Sequence, residues 1–509
     1  MNVRVHLLQS LGTQWLRFTT FIVVGILISP FILHRLGDEA YGLYALVFSV
    51  TGYFGLLDFG IGISLGRYVA RYSALGEIED LNRYVSTTFF TYCVLGFIVL
   101  ACSVVLASSV NSIFRITPEF HRRAEILFLM VGAAIALGFP MGVFGGILSG
   151  LQRFSTQNLF GICGTLLRAA LVVVVLTHGL GVLAVCAVTL GVRAAVPFIY
   201  SAIVFRALPL RISLKHIDRE KFKLMANYSL PAFVISLGTR FFFEADQAIT
   251  GMFVSTAAVT YFSIGERLSR YSTGFTDTLA DLFGPLASHY DATENLDGLR
   301  KMLVQGTRAC ALTSFPFLVL MIVLGKHVIA VWMGARYVTA SYPVLIVLLA
   351  PFVLSRAEDP TRRILYGMAR HRFIAYIRVG EGFANVVLSI LLAHRFGIVG
   401  VAFGTAIPMT ATGLFFYPIH LCRMLKVPLT HYIYEGFRHS LIFCVPLTVV
   451  LLVLKYAFPA PGYTSLIIQA AGGGIIYGSL LLWFFLTQDP LGSKVRDRFA
   501  KYVRHTVNR

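Results

Sequence analysis

With 509 residues, of which 57% are hydrophobic and only 13% charged, the chain is too apolar for a water-soluble domain. Its formal net charge of +19 would suggest nucleic acid in a soluble protein, but the basic residues gather in short breaks between apolar runs. Composition therefore excludes a soluble enzyme and a nucleic-acid binder, and places the chain in a lipid bilayer.

A hydrocarbon core about 30 Å thick takes about 20 helical residues to cross. Runs of that size predict an all-α protein of about fourteen spans, over 12–33, 41–65, 85–108, 124–150, 158–177, 181–203, 227–252, 257–287, 304–333, 341–367, 373–393, 399–422, 437–456 and 464–487. The first apolar run, from Phe18 to Leu33, has no small-residue cleavage site and leads directly into another span, so it is expected to remain in the mature protein. The seven cysteines all fall within apolar segments without CxxC spacing and are expected to act as small packing residues.

Placing the amino terminus in the cytoplasm puts Arg67, Arg71, Arg83, Arg153, Arg206, Lys215, Lys221, Arg300, Lys301, Arg370, Arg423 and Lys426 in cytoplasmic breaks. Basic residues are then roughly threefold more numerous inside than outside, as the positive-inside rule requires. Both termini are predicted to be cytoplasmic. The basic tail carries Leu491, Val495, Phe499 and Val503 at helical spacing, which predicts a helix lying on the inner leaflet.

An internal repeat organises the chain. Ile147-Leu148-Ser149-Gly150-Leu151-Gln152-Arg153 matches Ile364-Leu365-Tyr366-Gly367-Met368-Ala369-Arg370, and His178 to Val182 matches His394 to Ile398, both at an offset of roughly 216 residues. Ala40 to Tyr44 also lies near that offset from Ala258 to Phe262. The repeat predicts an N-lobe of six spans (1–205), a basic cytoplasmic linker (206–226) and a C-lobe of six spans (227–424), with two further spans and the tail over 425–509. An even number of spans per copy gives both lobes one orientation, related by a pseudo-two-fold axis along the membrane normal.

Ionisable side chains inside apolar helices cost about 2.5 to 3.5 kcal/mol each on insertion scales and normally face protein or a watery cavity. Arg17, Arg168, Arg193, Arg240, Arg270 and Arg356 are the candidate cavity cations. Asp58, Glu244, Asp246, Glu266, Asp277, Asp359 and Glu381 are candidates for ion coupling or charge balance. Glu266, Arg270, Asp277 and Asp281 fall on one face of a helix, which is expected to line water. Arg356, Asp359 and Arg363 share another face, where Pro360 is expected to interrupt the helix. Arg240 with Glu244 and Arg378 with Glu381 have the spacing of pairs within a helix. Arg67, Arg267, Arg308, Arg362 and Arg363 equally suit span ends from which they snorkel to the interface. Asp58 equally suits the closing of a helix end. No metal site and no cofactor are expected, although a proton or a sodium ion is a candidate coupling ion.

Leu36-Gly37-Asp38-Glu39-Ala40-Tyr41-Gly42-Leu43-Tyr44, followed by Leu57-Asp58-Phe59-Gly60-Ile61-Gly62, resembles the opening of Wzx-type polysaccharide flippases. These form one branch of the superfamily that also holds the multidrug and toxin extruders and the lipid II flippases. The resemblance implies a multi-pass protein of the bacterial inner membrane, with two lobes around a cationic cavity that opens alternately to either side. It implies a polyprenyl-pyrophosphate-linked glycan as cargo and polysaccharide polymerase or export machinery as partners. Arg17 matches by position an arginine in the first helix of similar transporters. Forked guanidinium bonds to phosphate suit such a cargo. Two rival readings stand beside this one. A cation-coupled drug extruder of the same fold would need a neutral or acidic cavity, and the intramembrane arginines argue against it. A membrane glycosyltransferase or polymerase would need a large outer loop with metal-binding carboxylates, and no DxD pair is present. The sequence has no nucleotide-binding P-loop either.

Overall fold

In hydrocarbon every backbone polar group must find its partner within the chain, so long apolar runs become helices. The computed structural model describes residues 3–280, 283–368, 370–459 and 462–487, and among them it is helical with no strand. In chain order the helices are α1 (Val3–Leu36), α2 (Asp38–Gly52), α3 (Ile61–Leu75), α4 (Ile78–Ile113), α5 (His121–Gly150), α6 (Phe154–Thr177), α7 (Val182–Ala207), α8 (Arg219–Phe253) and α9 (Thr256–Ala280). There follow α10 (Phe283–Ala292), α11 (Leu296–Trp332), α12 (Val338–Ala357), α13 (Asp359–Gly367), α14 (His371–Ala411), α15 (Tyr417–Leu425), α16 (Leu429–Ala457) and α17 (Tyr463–Thr487). Among the described residues eleven segments are long and apolar enough to cross a membrane. Large apolar side chains such as Leu27, Phe97, Leu137 and Ile475 stand exposed along them, as they would against lipid and not water. The protein is an all-α, multi-pass membrane protein.

Several expected spans are broken helices. The span predicted at 41–65 is α2, a 3-10 turn over Tyr53–Asp58 and then α3, joined where Phe59 and Gly60 both take left-handed backbone. The span at 341–367 breaks at Glu358, so that Pro360 sits in the first turn of α13, where its missing N–H leaves no donor unsatisfied. Conversely, the spans expected at 373–393 and 399–422 lie on one continuous run, Phe373–Leu425, kinked at the non-helical Gly397.

The repeated heptapeptide ends its helix in the same way in both copies. In α5, Leu151 N–H donates to Ile147 O and Arg153 N–H to Leu148 O, each at 2.9 Å. In α13, Met368 N–H donates to Ile364 O at 2.9 Å and Arg370 N–H to Leu365 O at 2.8 Å. The bonds from Arg153 and Arg370 are the six-to-one closure of a helix carboxyl end, made alike in both copies.

Packing divides the chain into two compact units, Met1–Ser263 with Ala375–Thr405, and Ile264–Ile374 with Ala406–Arg509. In the first, α3, α4 and α5 bury Leu65, Val69, Tyr84, Val85 and Ile147. A second cluster there joins Leu43, Leu46, Phe114, Phe128 and Val259. Gly42 is needed in that cluster because a Cβ would strike the backbone carbonyl of Thr256. In the second unit α11, α16 and α17 bury Leu312, Leu324, Phe443, Leu447 and Phe484, and Tyr477 donates to Leu312 O at 2.7 Å.

The basic connection between α7 and α8 is fastened along the start of α4. Arg211 N–H donates to Asn82 Oδ1 at 2.9 Å and Asp218 N–H to Thr87 Oγ1 at 3.0 Å. Lys221 Nζ lies 2.6 Å from Asp80 and donates to the Tyr72 hydroxyl at 3.1 Å. Burial opposes the Lys221 charge, but these two partners outweigh it and hold the ammonium above its usual range. The amphipathic tail expected at 491–503 lies outside the described residues. Of the cysteines, Cys186, Cys310, Cys422 and Cys444 are buried as expected, whereas Cys102 and Cys163 are exposed on helix faces.

Candidate functional site

Among the described residues, the expected site residues separate into guanidinium groups without a carboxylate and guanidinium groups that have one. Arg17 on α1 meets α6, where its Nη1 donates to Asn158 Oδ1 at 3.3 Å. Asn158 is buried and in turn donates through Nδ2 to Thr13 Oγ1 at 3.2 Å. Gly161 lies one turn along α6, and a Cβ there would stand 2.9 Å from Arg17 Nε, so its missing side chain makes room for the guanidinium. Asn158, Gly161, Thr165 and Arg168 follow steps of three and four, which places Arg168 on the α6 face that receives Arg17. Arg168 is half-buried and makes no hydrogen bond or ion pair among the described residues.

Arg193 on α7 lines a cavity of about 460 Å³ within the first unit, bounded also by α2, α3, α4, α5 and the 3-10 turn between α2 and α3. Its wall includes Thr51, Asp58, Tyr92, Phe139, Arg193 and Phe198. The Tyr92 hydroxyl donates to Asp58 Oδ1. Asp58 stands where the 3-10 turn gives way to the start of α3, so it closes a helix junction and faces the cavity at once. Arg193 forms no ion pair among the described residues. The volume falls in the range of small-molecule pockets, and one cation beside a hydrogen-bonded carboxylate on mostly apolar walls can orient a polar head group.

Of the other expected cations Arg270 and Arg356 have carboxylate partners, as do Arg308, Arg362 and Arg378. Arg270 donates to Glu266 Oε1 from Nε at 2.9 Å and from Nη2 at 2.5 Å, and Glu266 is 4% exposed. Arg356 Nη1 lies 3.3 Å from Asp359 Oδ2, and Arg362 Nη2 donates to the other oxygen of the same carboxylate. Arg378 Nη1 lies 2.9 Å from Glu381 Oε2. Arg308 is held by Glu435, with Nη2 to Oε2 at 2.9 Å and Nε to the backbone oxygen at 3.0 Å. The side chains of Arg240, Glu244 and Asp277 lie outside the described residues, and so does Asp281.

Asp246 on α8 belongs to a buried polar chain with α14. Thr405 Oγ1 donates to Asp246 Oδ2 at 2.5 Å and Asn385 Nδ2 donates to Thr405 Oγ1 at 2.8 Å. Ser389 Oγ donates to Val401 O at 3.2 Å, with Asn385 Oδ1 at 3.4 Å. All four side chains are at most 3% exposed. A search for charges alone misses Asn158, Tyr92, Asn385, Ser389 and Thr405. Their signal is a polar residue three or four positions from another within an apolar run, as Asn385 stands to Ser389.

Comparison with known proteins agrees with this architecture. The chain is 20% identical over 411 residues to the uncharacterized membrane protein EpsK of Bacillus subtilis, covering 80% of this chain and 81% of that one. It is 20% identical over 380 residues to a putative O-antigen transporter of Shigella flexneri, covering 74% and 88%. Among solved structures it shares the fold of the lipid II flippase MurJ in an inward closed conformation, with a TM-score of 0.71 and 14% identity over 94% of this chain and 99% of that one. Residues 2–281, which hold Arg17, Arg168, Arg193 and the Asp58 cavity, fit the pattern of the family described as polysaccharide biosynthesis protein, and the chain belongs to that family.

Proposed function

We propose that this protein flips a polyprenyl-pyrophosphate-linked oligosaccharide from the cytoplasmic to the outer leaflet of a bacterial inner membrane by alternating access. One observation carries the reading: Arg17, Arg168 and Arg193 lie in apolar helices of the family-matched segment without a carboxylate partner among the described residues. A guanidinium left unneutralised in a low-dielectric setting is a strong site for a phosphate or an acidic sugar, because its bonds to an anion are charge-assisted and forked. Arginines already matched to carboxylates are weaker candidates, since an anionic cargo must first displace the partner. A relative named as an O-antigen transporter and a shared fold with a lipid II flippase support the same class of cargo.

In this reading the two six-helix repeats are the moving lobes, the last two spans are an addition, both termini are cytoplasmic, and a polymerase or export complex receives the product. Asp246 is the seat of the coupling ion. It offers a carboxylate beside the hydroxyls of Thr405 and Ser389, the Asn385 amide and the Val401 carbonyl, a set of hard oxygens suited to a proton or a sodium ion.

The test uses the full chain in vesicles with fluorescent lipid-linked oligosaccharide and, in parallel, a fluorescent cationic drug. Oligosaccharide translocation that fails when Arg168 and Arg193 become Gln supports the reading. Movement of the drug with no movement of oligosaccharide overturns it in favour of extrusion. Asp246→Asn is expected to abolish acceleration by whichever gradient, proton or sodium, drives the unmodified protein.

A further inference from the structure

A second cationic hollow, of about 510 Å³, lies in the second unit where α11 and α16 begin. Arg300, Lys301, Arg308, Lys426, His431 and Glu435 line it, with an apolar flank at Val304. Arg300 is tied to Asp297 and donates to Leu425 O at 2.8 Å, and Arg308 and Arg438 share Glu435. Lys301 and Lys426 have no partner among the described residues, and both are exposed. Lys426 ends α15 in the left-handed conformation, which turns the chain so that Pro428 becomes the cap of α16. That cap forms no side-chain hydrogen bond, so the first N–H groups of α16 are left for a ligand or solvent.

The two helices run parallel. Near their starts Thr307 meets Tyr432 and Arg308 meets Glu435, while near the end of α16 Lys455 donates to Val323 O. Their positive dipole ends therefore lie on the same side of the bilayer and reinforce the lysines. Depth follows from length: the 37 residues of α11 span about 55 Å against roughly 30 Å of hydrocarbon, so its first turns project into the head-group layer.

We propose that this hollow binds the phosphate of an anionic glycerophospholipid of the adjoining leaflet, with Lys301, Lys426 and the start of α16 gripping the head group and Val304 facing its glycerol end. Net positive charge at head-group depth selects a phosphodiester, and basic pockets between helices at this level suit lipid phosphates. The seat is separate from Arg17, Arg168 and Arg193, and it stands whether or not the chain flips glycans.

Native mass spectrometry of the full chain, titrated with phosphatidylglycerol or phosphatidylcholine, tests it. The unmodified protein is expected to retain phosphatidylglycerol in preference, and Lys301→Gln with Lys426→Gln to weaken it about 30-fold. Arg219→Gln with Lys223→Gln, which removes equal charge elsewhere, is expected to leave binding unchanged. Equal retention by the hollow variant, or an equal loss in the control, overturns the site. Displacement by inorganic phosphate at comparable concentration overturns the lipid as ligand. So does a variant that loses binding of polyprenyl pyrophosphate but keeps phosphatidylglycerol. Thermal unfolding of the unmodified chain in phosphatidylcholine nanodiscs needs no variant: added phosphatidylglycerol should raise the midpoint, and no rise overturns the proposal.

Discussion

Arg17, Arg168 and Arg193, on α1, α6 and α7, make no ion pair among the described residues, although Asp58 shares the Arg193 cavity, while Arg270, Arg308, Arg356, Arg362 and Arg378, on α9 and beyond, each meet a carboxylate. Arg308, Arg356 and Arg378 sit, like Arg17, Arg168 and Arg193, on segments apolar enough to cross a membrane, so a hydropathy scan does not separate them. The difference teaches that charge in a span has two uses. A matched pair fixes helices to one another and leaves no net attraction for an anion. An unmatched guanidinium costs stability and keeps its field for a ligand.

The largest expected effect breaks or sustains this contrast directly. Changing Arg17, Arg168 and Arg193 together to Gln should reduce oligosaccharide flipping by more than about a hundredfold, each single change costing roughly tenfold, the scale of one charge-assisted bond. The unfolding midpoint should hold or rise. A stability loss with transport intact would erase the distinction. Next in size, Glu266→Gln removes the carboxylate that accepts from Arg270 Nε and Nη2 and should destabilise the protein, read as a lowered midpoint. Glu266→Leu with Arg270→Met should return it close to the unmodified value.

Smaller effects sharpen the comparison. Asn158→Ala or Gly161→Ala should mis-seat Arg17 and slow flipping about threefold to tenfold without altering Arg270 or Arg356, because each removes positioning and not charge. The smallest change is expected from Arg83→Gln. It breaks the pair with Glu79, which is 2.6 Å long yet exposed to solvent on both sides, and a longer contact with Asp218 at 3.8 Å, and should leave the unfolding midpoint almost unmoved.

Much of the fold was legible in the residues because lipid permits few solutions. Apolar runs of a span's length become helices, and a heptapeptide that recurs ends its helix alike in α5 and α13. The ion pair of Arg378 with Glu381 was legible as well, since it follows from spacing alone. The face carrying Glu266 was expected to line water, yet Glu266 itself is buried against its arginine, because the i,i+4 pair satisfies both groups without solvent. The cavity beside Arg193 was not legible. Its walls come from five helices and the 3-10 turn between α2 and α3, and the groups that complete it, Tyr92 and Asp58, lie far from Arg193 in sequence.

By itself the sequence determined an all-α chain embedded in a bilayer, the repeat within it, and which residues bring charge into that bilayer. Those properties depend on composition and on periodicities a few residues long. The tertiary structure alone decided the partners that come from another helix: Arg308 finds the Glu435 carboxylate and Arg17 only the Asn158 amide, each across more than a hundred residues. Helical geometry fixes neighbours only within a turn or two, and the partners of a buried cation are set by which helices pack beside it.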